Sequence, residues 1–155
     1  MPEKEAVLVS ACLLGVGCRY DGKTKENRQV LALLEKGVRL VPVCPEQLGG
    51  LSTPRPPAEI QRDGRVLNRD GADVTDGYRR GAEEALRLAR LYRCRLAVLK
   101  ARSPSCGKGG VYDGAFAGRL IPGDGVAARL LLEHGIRVFT EEEIGAAFPE
   151  EDRTE

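Results

Sequence analysis

Short apolar runs alternate with longer amphipathic segments along most of this 155-residue chain. Four of the runs are rich in Val and Leu and lack a period of two, which is typical of strands buried on both faces. Pro42 interrupts the second run, and because proline cannot donate a ladder hydrogen bond, we expect that strand to be peripheral or irregular. The four predicted strands are 6–12, 38–43, 95–100 and 136–139.

Between the strands, apolar residues recur at helical spacing. The strongest pattern covers 74–92, and two shorter segments, 26–36 and 125–134, are each followed by a glycine that can end a helix. Thr140, with Glu143 three residues later, has the capping-box pattern, which predicts a last short helix. Helices are therefore expected between and after the strands.

The order of these elements decides the fold class. Strands alternate with helices except at two predicted hairpins. One covers 59–67 and turns at Asp63-Gly64, and the other covers 111–120, a short segment interrupted by glycines. Such alternation favours an α/β domain with a mostly parallel sheet and helices on both faces. We expect one domain over residues 1–149, since the length suits a single core, and a frayed tail at 150–155.

Composition and charge narrow the function classes without identifying one. Lys and Arg number 24 against 23 Asp and Glu, a net charge of +1, which gives no electrostatic argument for a nucleic-acid polymer or a membrane as partner. No apolar run approaches the roughly 20 residues of a membrane helix, and the N-terminus lacks a signal-peptide pattern. We therefore expect a cytoplasmic protein, whose five cysteines are thiols or metal ligands rather than disulfides.

Three cysteines follow three of the predicted strands: Cys12 ends the first, Cys44 ends the second, and Cys106 comes after the third. Open parallel sheets bind ligands at the carboxyl ends of their strands, so these thiols are expected at one edge of the sheet. Three thiolates there would repel one another unless they were protonated or bound to a cation. However, a buried cysteine often serves only as a small apolar side chain in the core, and the sequence has no CxxC zinc signature. The positions of the cysteines alone therefore do not establish a metal site.

Four longer segments resemble one known family. They are SACLLGVGCRYDG at 10–22, VPVCPEQLGGLSTPRPPAEI at 41–60, DVTDGYRRGAEEAL at 73–86 and ARSPSCGKGGVYDG at 101–114. Together and in this order, they resemble the small-domain family that includes bacterial 2-thiouracil desulfidase. The resemblance covers nearly the whole chain.

The resemblance implies a Rossmann-like three-layer α/β fold and a [4Fe–4S] cluster bound by Cys12, Cys44 and Cys106. In that family, the fourth iron has no protein ligand and takes the substrate sulfur. The implied reaction is a non-redox desulfuration, in which a thiolated pyrimidine such as 2-thiouracil exchanges its sulfur for oxygen from water and sulfide is released. The expected partner is therefore a small thiolated heterocycle.

Two residues near the cysteines are candidates for proton transfer. Glu46 lies two residues after Cys44, where partial burial would raise the pKa of its carboxyl group and suit it to accept a proton from water. The alternative is an exposed loop carboxylate. Ser103, three residues before Cys106, could relay a proton or hold the substrate, or it could shape the turn ahead of a proline. The resemblance implies a catalytic role for the corresponding Glu and Ser.

Four further residues are candidates for substrate binding. Arg19, Tyr20 and Asp21 could line the substrate pocket, or they could form an Asp-Gly turn with the following glycine. Arg55 could bind an anionic group of the substrate, or it could be a solvated loop residue.

The other two cysteines are expected to lie outside the trio of ligands. Cys94 is expected in the core. Cys18 could be a fourth ligand or a nearby thiol, and we expect a nearby thiol, because a fourth ligand would close the iron that Lewis-acid chemistry requires to be open. Two alternatives from other function classes remain, namely a non-catalytic iron–sulfur or sulfur carrier and a cluster-free thiol or zinc protein. A substrate pocket that contains Glu46 and Ser103 would argue against a carrier.

Overall fold

The computed structural model describes residues 5–149, and the predicted tail at 150–155 lies outside the described residues. Within that range, strands and helices alternate as the apolar pattern predicts. The strands are β1 (Ala6–Ser10), β2 (Arg39–Val43), β3 (Ala58–Ile60), β4 (Val66–Asn68), β5 (Leu96–Leu99), β6 (Val111–Tyr112), β7 (Leu120–Ile121) and β8 (Arg137–Thr140). The helices are α1 (Arg28–Glu35), α2 (Pro45–Leu48), α3 (Thr75–Leu91), α4 (Val126–Glu133) and α5 (Ile144–Ala147).

Four of the strands form one parallel sheet in the order β2-β1-β5-β8. Val9 of β1 lies opposite both Pro42 of β2 and Val98 of β5, and Ala97 of β5 lies opposite Val138 of β8. β2 is an edge strand, the first of the two alternatives expected for a strand that contains proline. Because all four strands run in the same direction, the segments that leave β1, β2 and β5 at their carboxyl ends emerge side by side.

Helices cover both faces of the sheet, which gives three layers. On one face, α3 and α4 pack against each other and against the sheet, through buried residues that include Ala85, Leu131 and Leu8. On the other face, α1 and α5 contribute Val30 and Ala147 to a second apolar cluster. The three-layer α/β fold with a parallel sheet is therefore confirmed.

Two antiparallel hairpins lie outside the central sheet. β3 pairs with β4 and β6 pairs with β7, at the two places where turn signals predict hairpins. β3 also packs against β6, so the hairpins contact each other. The capping box at Thr140 and Glu143 is present as predicted. None of the helices within residues 5–149 has the length and apolarity that a membrane crossing requires.

The short helix α2 lies directly against α3, and glycines make this close approach possible. Gly81 of α3 faces the Pro45 carbonyl oxygen so closely that a Cβ at this position would collide with it. A Cβ on Gly49, which follows α2, would likewise collide with the Gly77 carbonyl oxygen. The position of α2 against α3 thus depends on side chains being absent at these points.

We expect Gly81→Ala to lower the free energy of unfolding by about 1–3 kcal/mol, because overpacking must displace α2 or α3. Gly145→Ala is the matched control, since it is also in a helix and its added Cβ meets nothing within 4 Å. Urea unfolding of both variants measures the difference. Equal stability of the two would show that α2 is not held by this contact.

Candidate functional site

A cavity of about 590 Å³ opens at the carboxyl edge of the parallel sheet. This volume falls within the roughly 300–1,000 Å³ that is typical of small-molecule sites. Its walls come from the segments that follow β1, β2 and β5, from the loop before α1 and from the two hairpins. Its lining includes Ser10, Cys12, Cys18, Arg19, Tyr20, Lys25, Cys44, Glu46, Arg55, Glu59, Arg69, Tyr78, Lys100, Arg102, Ser103, Cys106, Tyr112 and Phe116.

Three of the lining thiols come from the carboxyl ends of three strands. Cys12 lies in a 3-10 turn that continues β1, and its carbonyl oxygen accepts hydrogen bonds from Thr24 Oγ1 (2.9 Å) and Lys25 N (3.0 Å). Cys44 follows β2 as the N-cap residue of α2, and Cys106 lies in the loop after β5. Cys12 and Cys106 are buried and Cys44 is half-buried, and all three are free thiols.

The surroundings of Cys44 and Cys106 favour the protonated form of both thiols. A hydrogen bond with Cys18, burial and the nearby Glu46 carboxylate raise the pKa of Cys44. Burial and Glu46 raise the pKa of Cys106. A metal that binds such thiols has to displace their protons, and its positive charge then removes the repulsion among the thiolates.

Cys18 lies beside these thiols, in the nearby position that the sequence left open for it. The chain reverses after the first 3-10 turn, with Cys18 N donating to Val16 O (2.9 Å), and this turn brings Cys18 next to β2. Cys44 Sγ donates to the Cys18 carbonyl oxygen (3.6 Å), and a hydrogen bond with Cys12 raises the pKa of the Cys18 thiol to about 11. Cys94 is buried in the core between α3, α4 and the sheet, away from the cavity lining.

Glu46 is buried in the first turn of α2, with 9% of its surface exposed, so it is not the exposed loop carboxylate of the alternative interpretation. One carboxylate oxygen lies 3.8 Å from Cys44 Sγ, and the other lies 3.7 Å from Arg55 Nη2. Burial raises the pKa of Glu46, while the Arg55 guanidinium acts in the opposite direction. The carboxyl group therefore lies beside a thiol and is oriented by a cation.

The side chain of Arg55 is buried as well, with 7% of it exposed, so the interpretation as a solvated loop residue is wrong. Its Nη2 donates to the Cys18 carbonyl oxygen (3.1 Å), and its Nη1 donates to Ser52 O (3.1 Å) and Thr53 Oγ1 (3.1 Å). Arg55 therefore links the Pro-rich loop to the loop that carries Cys18, through a hydrogen bond, and to α2, through its ion pair with Glu46.

Ser103 both lines the cavity and shapes the turn that carries Cys106. Its Oγ accepts hydrogen bonds from Ser105 N (3.1 Å) and Cys106 N (3.0 Å). The hydroxyl proton of Ser103 is not used in either bond, so it can be donated into the cavity.

The structure separates the three candidates in the loop before α1. Arg19 and Tyr20 line the cavity, whereas Asp21 lies outside its lining and is exposed. Asp21 Oδ1 accepts a hydrogen bond from Lys23 N (2.9 Å), which makes it a turn residue, and its carboxylate lies 3.9 Å from Arg19 Nη1. Gly22 N donates to Arg19 O (2.8 Å), so all three residues belong to the predicted Asp-Gly turn, and Arg19 and Tyr20 line the cavity as well.

Several lining residues were not singled out in the sequence. Lys100 directly follows β5, a position that strand-end reasoning could have found, and its Nζ lies 3.2 Å from Glu141 Oε2. Tyr112 and Phe116 come from the second hairpin, which has no sequence signal that it folds over the cavity.

Within residues 5–149, no three side chains of His, Cys, Asp or Glu converge closely enough to hold one metal ion. A multinuclear cluster makes a different demand, because each thiolate binds a different iron and the ligands surround the cluster. Three thiols around one cavity are compatible with that arrangement.

Comparison with known proteins identifies the family. The family model for 2-thiouracil desulfurase matches residues 7–143. The chain belongs to this family. YbbK of Bacillus subtilis, whose function is uncharacterised, is 40% identical over 147 residues, which cover 89% of this chain and 97% of that protein.

A solved structure of the family shares the fold. The [4Fe–4S]-dependent thiouracil desulfidase TudS is 47% identical in sequence and superposes with a TM-score of 0.86. The match covers 92% of this chain and 95% of that one. The three-layer architecture and the desulfurase family are therefore supported by sequence and by structure.

Proposed function

We propose that this protein is a desulfidase that removes the sulfur of a thiolated pyrimidine such as 2-thiouracil, using a [4Fe–4S] cluster bound by Cys12, Cys44 and Cys106. The observation that carries the proposal is that these thiols, from three strand ends, line one cavity together with the buried carboxyl group of Glu46. Membership of the 2-thiouracil desulfurase family supports the reaction, and the similarity to a [4Fe–4S]-dependent desulfidase supports the cofactor.

The donor set fits such a cluster. Cysteine thiolates are the usual ligands of iron–sulfur clusters, and three of them leave one iron without a protein ligand. The Glu46 carboxylate forms an ion pair with Arg55 and lies beside the Cys44 thiol. We therefore assign it to proton transfer rather than to iron binding. Cys18 is assigned as a neighbour of the ligands and not as a fourth ligand, because a fourth thiolate would close the open position.

The reaction exchanges a C=S bond for a C=O bond: water supplies the oxygen, and the sulfur leaves as sulfide, with no net oxidation or reduction. When bound, the cluster supplies a soft Lewis acid suited to a thiocarbonyl sulfur. Glu46 accepts the proton of the attacking water, because it is the buried carboxyl group beside the thiols. Arg55 keeps the carboxylate in place, and the Ser103 hydroxyl donates a hydrogen bond to the substrate.

The cavity lining favours an enzyme over a carrier. A carrier that only holds sulfur needs the thiols, but it does not need a buried carboxyl group held by an arginine beside them. It also does not need the Ser103 hydroxyl in the turn before Cys106, which accepts two backbone hydrogen bonds and donates to no acceptor among the described residues.

Anaerobic turnover tests the proposed function. Protein loaded with iron and sulfide is incubated with 2-thiouracil in buffer without an electron donor or acceptor, and both products are measured. We expect uracil and sulfide in equal amounts over many turnovers. Failure of a fully loaded protein to release sulfide from 2-thiouracil or 4-thiouracil would refute the desulfidase assignment.

A further inference from the structure

The cavity has an aromatic wall that the proton-transfer chemistry does not use. Tyr112 and Phe116, both from the hairpin of β6 and β7, line it. Phe116 has a φ of +56°, a left-handed backbone conformation that residues other than glycine rarely adopt. A loop that holds a bulky residue in this conformation must be fixed by contacts with other parts of the protein.

Glu59 of β3 supplies these contacts. Its Oε1 accepts hydrogen bonds from the backbone N–H groups of Gly114 (2.9 Å) and Phe116 (3.1 Å). Gln61 Nε2 adds a hydrogen bond to the Gly114 carbonyl oxygen (3.2 Å). The first hairpin therefore fixes the loop of the second one at the residue that lines the cavity.

Arg69 completes the support of the aromatic ring. Its guanidinium carbon lies 5.7 Å from the centroid of the Phe116 ring, within cation–π range, and Arg69 itself also lines the cavity. Within residues 5–149, no acidic side chain forms an ion pair with Arg69. The ring is thus held both through its backbone and through its π system, at the border of the cavity.

This inference rests on the proposed function and concerns how its site selects a substrate: we propose that the pyrimidine ring stacks on Phe116, which Glu59 positions. A planar heterocycle gains from stacking on an aromatic side chain, by a factor of roughly 5–100 in affinity per base. Phe116 is then a specificity-determining residue that contacts the substrate. Glu59 is a positioning residue, because it acts only through the loop that it holds.

Phe116→Ala tests the stacking surface. We expect the KM for 2-thiouracil and the inhibition constant of uracil to rise by the same factor, roughly 5–100-fold, while kcat changes little. Phe116→Tyr retains an aromatic face and should bind both molecules nearly as well as the wild type. Values of KM and of the inhibition constant within about twofold of the wild type in Phe116→Ala would overturn the proposal.

Glu59→Ala tests the positioning role separately. We expect the same rise in KM, together with faster hydrogen exchange at the amides of Gly114 and Phe116, because both N–H groups lose their acceptor. Glu59→Gln keeps an oxygen that can accept from both N–H groups and should restore the KM and the exchange protection. An unchanged KM in Glu59→Ala, with the exchange accelerated, would contradict the positioning role.

The failure of this inference can be told apart from the failure of the proposed function. Uracil binding measured by calorimetry requires no turnover. If the loaded wild type released no sulfide but bound uracil more tightly than Phe116→Ala did, the stacking site would be supported and the desulfidase reaction would be refuted. If the wild type turned over 2-thiouracil, and the wild type and Phe116→Ala bound uracil equally, only the stacking site would be refuted.

Discussion

Cys44→Ala, purified and reconstituted without oxygen, is expected to lose most of its iron and all measurable desulfuration, and Cys12→Ala and Cys106→Ala should behave in the same way. Each variant leaves only two of the three proposed ligands, and metal affinity depends steeply on the number of ligands. Iron and acid-labile sulfide per chain, measured against a wild type with about four of each, give the result.

Two other cysteines provide matched controls for this loss. Cys94→Ala changes a buried thiol in the core, away from the cavity, and should keep its iron and its activity. Cys18→Ala removes a thiol that lies beside Cys12 and Cys44 and should keep most of its iron, since Cys18 is not a proposed ligand. Full iron content in Cys44→Ala, or a loss in Cys18→Ala as complete as in Cys44→Ala, would contradict the ligand assignment.

Glu46→Gln is expected to retain the cluster and to lose roughly 10²–10⁴-fold in kcat, which is the usual contribution of a general acid–base group. The amide keeps the size of the carboxyl group, but it cannot take a proton from water at neutral pH. The initial rate of sulfide release from 2-thiouracil, at matched iron content, measures the effect.

The same exchange on an exposed helix surface is the control for Glu46→Gln. Glu84→Gln on α3 affects only a surface pair with Arg87, with 41% of the Glu84 side chain exposed, so its rate should equal that of the wild type. A Glu46→Gln protein that turned over as fast as Glu84→Gln would remove Glu46 from the mechanism.

The parts of the fold that the sequence predicts are those with a local cause. Val/Leu-rich runs without polar alternation identify the four strands of the parallel sheet, and Pro42 identifies the edge strand. Asp63-Gly64 identifies the first hairpin. The four-residue helix α2 was not predicted, because four residues are too few to show a helical period.

The contacts within the site that the sequence could not provide join distant segments. Cys18 comes next to Cys44 because the chain turns back after the first 3-10 turn. The spacing of apolar residues does not predict such a reversal. Arg55 is a substrate-binding candidate in the sequence, but its Pro-rich surroundings give no sign that its side chain is buried beside Glu46. Phe116 reaches the cavity only because the two hairpins pack together.

The positions of the three proposed ligands could be anticipated because they follow from topology. The carboxyl ends of adjacent parallel strands meet at one edge, so residues far apart in sequence are brought together without any local motif. The resemblance to the family then supplies what topology cannot, namely the kind of metal centre and the reaction.

The central claim is that three protein thiolates leave one iron of the cluster open to the substrate. Mössbauer spectra of the anaerobic, iron-loaded wild type, recorded before and after addition of 2-thiouracil, test it directly. We expect one of about four irons to be spectroscopically distinct and to change when 2-thiouracil is added, while the other three stay as they were. About four equivalent irons that 2-thiouracil leaves unchanged would contradict the claim.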